Sequence, residues 1–575
     1  MTSQGDTLLS QVNEPSDLRG LSDAEVTRLA SEARSHLIDT RAEPGGGTVE
    51  LTLAVHRIFT APKDVLLFDM RHAAAARGIL TGTAEQPERP AGAPQQVSEH
   101  GHAAAPLCYA DGLAKAFAVR GTTRRRRVVA VIGGDALTSG LSWEALNAIG
   151  SAPTRPVVIV LNDDGNAYTS VPGGIARHLA ELKRAAAGLA ASQIPAQRQG
   201  KPLRTNVFTD LGIVYIGPID GHSMSALERA LRRAATVGRP VLVHCVTHQP
   251  QSAAAAVPPH TTRRRRTRAR RTWTSVFDAE LAAIGAGRDD VVCVTAGHGV
   301  GEFASRYPER VFDVGSAEPH AITSAAGLAL GGTRPIVRMR ADALPRAFDR
   351  LLADVARHRL PVTVVLDHAG VTGNGDDGVW DPAVLAAIPG LRLGAPRDTV
   401  RLREMLRQSI DRGAGPTVLR HPPGPAPLDV PAARRAGPCD VLREAGEPDV
   451  VLLTVGALAQ ACLAAAESLA LRDVAATVLD PLWTVPADPA LIKLLTGHRM
   501  VVVVEEATAI GGLGARLAQA LAAAGSGTRV VTHALPPRFL PHASRDHLLR
   551  ACSLDAAGIA QVVATLLGKP SLRRE

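Results

Sequence analysis

One carboxylate in this chain stands where it could do acid–base chemistry. Glu318 falls between an apolar strand, Arg310-Val311-Phe312-Asp313-Val314, and a small-residue helix that opens at Pro319-His320-Ala321-Ile322-Thr323. Taken alone, a glutamate there reads as a helix-start charge favoured by the macrodipole. Two further segments are rich in oxygen. Gly133-Gly134-Asp135 follows the Val-rich run 128–132, and Asn162-Asp163-Asp164-Gly165-Asn166 follows the run 156–161. Ligands of parallel sheets sit at the carboxyl ends of strands. If these two strands are neighbours, their ends could hold a small divalent cation together with a diphosphate. Mg²⁺ suits such a set, because it takes few carboxylates plus phosphate oxygens. The plainer reading is a pair of Asp/Gly turns, and the residues by themselves favour it.

Elements that could position these groups recur along the whole chain. Short apolar runs at 128–132, 156–161, 240–246, 291–295, 335–339, 361–366, 450–455, 475–479, 500–504 and 529–533 alternate with Ala/Leu-rich helical stretches. Short Val-rich runs followed by turns or helices predict parallel strands covered on both faces. The expected fold class is therefore α/β, with three mainly parallel-sheet domains. The first spans residues 1–250, an Arg-rich linker 251–272, the second domain 273–430 and the third 431–575.

Composition narrows the class. A length of 575 residues suggests roughly three or four domains. Hydrophobic residues make up 45% but aromatics only 3%, so the cores must be built from Ala, Val and Leu. No run of about 18 apolar residues occurs, which predicts no membrane-spanning helix. The polar start, Met1-Thr2-Ser3-Gln4-Gly5-Asp6, lacks a basic-then-apolar signal pattern. Six Cys at 108, 245, 293, 439, 462 and 552 form no CxxC pair or His/Cys cluster, so neither zinc nor a disulfide framework is expected. A cytoplasmic location is the expectation. The net charge of +9 is concentrated in Arg124–Arg127 and in the run 263–271. Neither run has interleaved aromatics or a nucleic-acid motif, so both read as solvated loops, with no nucleic-acid and no membrane partner.

The wider sequence around Glu318 resembles the 1-deoxy-D-xylulose-5-phosphate synthase family of transketolase-like thiamine-diphosphate enzymes. The blocks that carry the resemblance are Ser16-Asp17-Leu18-Arg19-Gly20-Leu21, Gly47-Thr48-Val49-Glu50-Leu51-Thr52, Ile79-Leu80-Thr81-Gly82 and Glu144-Ala145-Leu146-Asn147. Tyr215-Ile216-Gly217-Pro218-Ile219-Asp220-Gly221-His222 is the most specific of them. Later blocks are Phe312-Asp313-Val314, Ala317-Glu318, Val504-Glu505-Glu506 and Gly511-Gly512-Leu513-Gly514. The resemblance implies an N-terminal domain for the diphosphate and Mg²⁺, a middle domain for the pyrimidine and a C-terminal domain that supports a homodimer.

It also implies roles for particular residues. Glu318 matches the glutamate that hydrogen-bonds the aminopyrimidine and favours its imino tautomer. His320 matches the histidine two residues on, and His72 the active-site histidine before Ile79-Leu80-Thr81-Gly82. Gly101 and His102 match a pair near the cofactor, with Ala136 beside it. Arg346 matches an arginine at the substrate end. Asp135, Asp164 and the Asn166 carbonyl are the implied metal ligands. The implied reaction joins pyruvate to glyceraldehyde 3-phosphate with loss of CO2, giving 1-deoxyxylulose 5-phosphate for isoprenoid and thiamine precursors.

Several positions depart from the family pattern. Gly134 stands at the metal-ligand aspartate, and the nearest carboxylate is Asp135, one residue on. Asp164 replaces a metal-binding Asn, and Ala103 and Ala104 replace Ser. Arg41 takes the place of an early His, and Ala343 that of the aromatic packed on thiamine. His368 and Pro423 replace two phosphate-binding arginines, which removes strong charge-assisted bonds. A loop with Asp and His is shortened to Gly373-Asn374-Gly375-Asp376-Asp377-Gly378, and the stretch between Gly82 and Gly101 is short. Two alternatives follow from these losses: a catalytically impaired paralogue acting as a partner or regulatory subunit, or a thiamine enzyme with a non-phosphorylated acceptor.

Overall fold

The computed structural model describes residues 7–12, 15–39, 48–61, 63–69, 72, 97–100, 103–122, 126–164, 173–191, 206–248, 271–297, 299–373, 378–541 and 543–569. The chain forms two compact units, 1–264 and 265–575.

The first unit is built on one six-stranded sheet. Its strands are β1 (Val65–Asp69), β2 (Val97–His100), β3 (Val128–Gly133), β4 (Val157–Asp163), β5 (Val214–Asp220) and β6 (Val241–Val246), in the order β2-β1-β3-β4-β6-β5. Every pair is parallel. The Val-rich runs follow from burial on both faces. Val128, Ala130 and Ile132 pack into one apolar layer, while Val129 and Val131 pack into the opposite one. Helices Ala105–Val119 and Gly140–Gly150 cover the first face; Val49–Ile58 and Met224–Thr236 cover the second. Met224–Thr236 buries Leu227, Ala230, Leu231 and Ala234, the i, i+3, i+4, i+7 stripe of an amphipathic helix.

The basic run before β3 is used structurally. Arg126 lies 4.6 Å from the centre of the Phe117 ring and donates to the Lys63 carbonyl, and the Arg127 backbone N–H donates to Asp64. Most of the second run, 263–270, lies outside the described residues.

The helix Gly140–Gly150 ends against the turn at Leu211. A Cβ on Gly150 would meet the Leu211 carbonyl oxygen at 2.0 Å, whereas a Cβ on Gly112, in the helix Ala105–Val119, would meet nothing within 4 Å. Gly150→Ala should therefore destabilise by about 1–3 kcal/mol through overpacking. Gly112→Ala should be neutral or stabilise by roughly 0.5–1 kcal/mol. Thermal melts of the two variants check the contrast.

The second unit holds two sheets. The middle one comprises β7 (Val291–Thr295), β8 (Val311–Asp313), β9 (Arg334–Arg340), β10 (Thr363–Asp367), β11 (Arg392–Gly394) and β12 (Thr417–Arg420). The last comprises β13 (Arg434–Ala436), β14 (Cys439–Arg443), β15 (Val450–Thr454), β16 (Ala476–Asp480), β18 (Met500–Thr508) and β19 (Arg529–Leu535). Between β16 and β18, β17 (Trp483–Val485) crosses to the middle sheet and pairs antiparallel with β11. The orders are β17-β11-β12-β10-β9-β7-β8 and β13-β14-β16-β15-β18-β19. Apart from β17 and the antiparallel pairs β13–β14 and β14–β16 at one edge of the last sheet, all pairings are parallel. The α/β class with three mainly parallel sheets is what the alternating runs predict.

The stretch Arg545–Leu566 is long and apolar enough to cross a membrane by composition. It folds instead as two helices, Arg545–Ala551 and Ala556–Leu566, broken at Ser553 with φ 59°. Leu548, Ile559, Ala560, Val563 and Ala564 pack into the core of the last sheet.

Candidate active site

The carboxyl ends of β1, β3, β4 and β6 meet in the first unit. The ladder sets Gly133 beside Asn162, and Asn162 beside Cys245. Asp69, at the end of β1, accepts from the Gly133 N–H through one oxygen at 3.0 Å. Its other oxygen accepts from the His72 backbone at 3.0 Å and lies 2.7 Å from His72 Nδ1. His72 Nε2 lies 3.0 Å from the Asn162 amide nitrogen, and Asn162 Oδ1 accepts from the Thr247 hydroxyl at 2.7 Å. All four side chains are buried.

A second chain runs beside it. Tyr215 Oη is 2.7 Å from His244 Nδ1, His244 Nε2 is 3.1 Å from Asp163, and Lys183 Nζ is 2.8 Å from the same oxygen. Burial pushes the Asp163 carboxyl up, but the bonds from His244 and Lys183 outweigh it and hold the group at about 2.

The expected metal residues lie at these strand ends. Asp135 is half-buried on a short 3₁₀ turn, Gly134–Thr138, and its carbonyl accepts from Thr138 at 2.7 Å. Asp164 is buried one residue past β4. Gly134 and Ala136 are buried. Among the described residues no three His, Cys, Asp or Glu side chains gather into a metal cluster. Asp135 and Asp164 follow the ends of the adjacent parallel strands β3 and β4. Gly101, His102, Asn166 and Arg41 lie outside the described residues.

In the second unit Glu318 is the first residue of the helix Glu318–Leu330, just past β8, and it is buried. Its carboxylate accepts from Arg346 Nη2 at 2.7 Å and from Nε at 3.4 Å. Arg346, expected to meet substrate, is thus placed on Glu318. His320 is exposed.

At the end of β10 the Asp367 carboxylate takes Arg338 through one oxygen at 3.0 and 3.2 Å, and His368 Nδ1 lies 3.2 Å from the other. Ala343 is buried. A cavity of about 230 Å³ opens beside its neighbours Asp342 and Leu344, with Trp380, Arg538 and Phe539 on its wall.

Two of the blocks that carry the family resemblance, 504–506 and 511–514, have structural partners. Glu505 accepts from the Leu513 and Gly514 N–H groups at 2.8 and 2.9 Å, satisfying the start of the helix Leu513–Ala523. A Cβ on Gly512 would strike that carboxylate at 2.5 Å, so the glycine is required there. Glu506 accepts from the Val371 N–H at 2.7 Å and pairs with Arg545.

The family model for 1-deoxy-D-xylulose-5-phosphate synthase matches residues 9–247. The transketolase pyrimidine-binding domain matches 269–425, and the transketolase C-terminal domain matches 437–559. The 1-deoxy-D-xylulose-5-phosphate synthase of Thermobifida fusca (strain YX) is 41% identical, with 98% of each chain covered. The chain belongs to the 1-deoxy-D-xylulose-5-phosphate synthase family. The 1-deoxy-D-xylulose-5-phosphate synthase 1 of Kitasatospora griseola is 43% identical over 97% of this chain and 95% of its own. The synthase of Rhodococcus jostii (strain RHA1) is 42% identical over 99% and 97%.

Family membership implies thiamine diphosphate and Mg²⁺. Asp69, Asn162 and Thr247 are the site residues that sequence reading passed over. Asn162 lay inside a quoted segment, and the others carried no motif of their own; only strand register brings them to His72.

Proposed function

We propose that this chain condenses pyruvate with glyceraldehyde 3-phosphate, releasing CO2 and forming 1-deoxy-D-xylulose 5-phosphate. Near-full-length identity to the synthases supports the reaction. The observation that carries it is Glu318, kept at the first turn of its helix, buried, and oriented by Arg346.

Thiamine diphosphate supplies the carbanion chemistry that lets the carboxylate of pyruvate leave as CO2. Glu318 holds the proton at the ring nitrogen of the aminopyrimidine. Arg346, donating two bonds, keeps the carboxylate in one orientation. Asp135, Asp164 and the Asn166 carbonyl hold Mg²⁺, and His72, Gly101, His102 and Ala136 line the cofactor's diphosphate end. His320 contacts substrate from the exposed face of the Glu318 helix. A homodimer and a cytoplasmic location come with the family reading; sedimentation at micromolar concentration checks the first.

The acceptor end differs. Pro423 can offer no cation, and His368 is turned onto Asp367. Where bidentate guanidinium contacts are lost, selectivity for a phosphate falls. Pyruvate decarboxylation is to be followed without acceptor, then with glyceraldehyde 3-phosphate, then with glyceraldehyde. Both acceptors should accelerate it, with a preference for the phosphorylated one well under that of a synthase with both arginines. Protein that binds cofactor yet releases no CO2 under any of the three conditions would rule the assignment out.

A further inference from the structure

The hydrogen bonds around His72 run in one direction only. A carboxylate can only accept, so Asp69 requires the proton of His72 to sit on Nδ1, at 2.7 Å. The remaining ring nitrogen of the neutral imidazole, Nε2, then carries a lone pair. The group facing it at 3.0 Å must donate, and that is the amide nitrogen of Asn162. With its nitrogen committed, Asn162 presents Oδ1 to Thr247, whose hydroxyl donates at 2.7 Å. Thr247 is itself fixed, because its backbone N–H donates to the Asp163 carbonyl at 3.1 Å and extends the ladder between β4 and β6. At the other end Asp69 is fixed by the Gly133 N–H at 3.0 Å. Each donor in the series has one acceptor, and none of the four side chains reaches bulk water.

We propose that Asp69 holds the proton of His72 on Nδ1 while Thr247, acting through Asn162, keeps Nε2 capped by the amide N–H, so that His72 is a positioning residue tying the ends of β1, β3, β4 and β6 together and carries none of the reaction's protons. Both ring nitrogens are committed inside the protein: Nδ1–H to Asp69, the Nε2 lone pair to Asn162. The consequence is a rigid floor at the strand ends where the cofactor diphosphate is placed. This rests on the functional reading above for the identity of the bound group, but the tautomer itself does not.

The Asp69 carboxylate sets the direction of the series, and Thr247 supports the Asn162 orientation that completes it. Valine keeps the shape and loses the hydroxyl. Asn162 Oδ1 then has no donor, and its amide is free to turn and offer oxygen to Nε2, which would call a proton to that nitrogen. Serine restores the donor.

The test uses the full chain labelled with ¹⁵N at histidine, with His72 assigned from a His72 variant. In the wild type, ring ¹⁵N spectra should show Nδ1 protonated and Nε2 bare. Thr247→Val should lose that fixed pattern and weaken thiamine diphosphate binding, read by calorimetric titration with Mg²⁺ present, by roughly tenfold, one hydrogen bond's worth. Thr247→Ser should recover both. A wild type with Nε2 protonated, or a Thr247→Val protein unchanged in both spectrum and affinity, would overturn the proposal. If the wild type shows the Nδ1–H tautomer but binds no cofactor, the functional reading fails while the tautomer assignment stands.

Discussion

Replacing Glu318 by glutamine should lower turnover by about 10²–10⁴-fold, the usual worth of a general acid–base group. Glutamine keeps the volume and can still accept from Arg346, so the helix Glu318–Leu330 and its packing should survive. What is lost is the exchangeable carboxyl proton. The fall should lie in kcat measured at saturating cofactor, because the step that fails follows binding. Far-ultraviolet dichroism and the thermal midpoint should match the wild type. A variant that keeps a tenth or more of wild-type turnover would show that another group activates the cofactor. Arg346→Met gives the companion result: with the carboxylate intact but unguided, the loss should be smaller.

The largest stability effect is expected at Arg397. This side chain is only 1% exposed. It donates to Asp440 at 2.8 Å, to Asp480 at 2.7 Å and to the Val430 carbonyl at 3.0 Å. The residue lies between β11 and the helix Thr399–Asp411, and its partners lie on β14 and β16, so it joins the middle sheet to the last one. Arg397→Met should cost about 3–5 kcal/mol, because it strands the buried Asp480 carboxylate without a counter-charge, while Asp440 keeps Arg401 at 2.9 Å. The midpoint of urea unfolding checks this.

The same site gives a pH signature. Burial pushes the Asp480 carboxyl up to about 6, in spite of Arg397. A folded-state value above the unfolded one means the folded protein takes up the proton first. The contribution of Asp480 to stability is therefore most favourable below about pH 4, declines as pH rises, and is fully lost above about 6. With Arg397 removed the carboxyl should move higher still. Acidifying the variant from pH 7 towards 5 should then recover more stability than the same change does in the wild type. A variant equally unstable at both values would show that Asp480 stays ionised throughout, with no raised carboxyl in the folded protein.

The strands legible in the sequence are those buried on both faces. Val128–Gly133, Val157–Asp163 and Met500–Thr508 read as continuous apolar runs because each packs against two layers. Others carry weaker signals for identifiable reasons. In β5, Gly217 and Pro218 interrupt the run; Gly217 has φ 132°, and a Cβ on it would strike the His244 carbonyl at 2.5 Å. β13 and β17 are three residues each and lie at sheet edges, where one side of the strand has no partner to demand an apolar pattern. That β17 crosses to the middle sheet is not in its residues at all; it follows from the antiparallel pairing with β11.

The sequence by itself determined the architecture and the position of the acid–base group. Short Val-rich runs alternating with helices can bury themselves in few ways, and Glu318 is tied to the end of β8 by simple adjacency along the chain. Tertiary structure alone decided which groups those residues meet. Arg346 reaches Glu318 from 28 positions away, and His72 meets Asn162 across 90. Thr247 closes the series across another 85. Hydrogen bonds form over about 3 Å, so which of many polar side chains pair is set by strand register to within one residue. A run of apolar residues records that it is buried, but not which neighbour lies beside it.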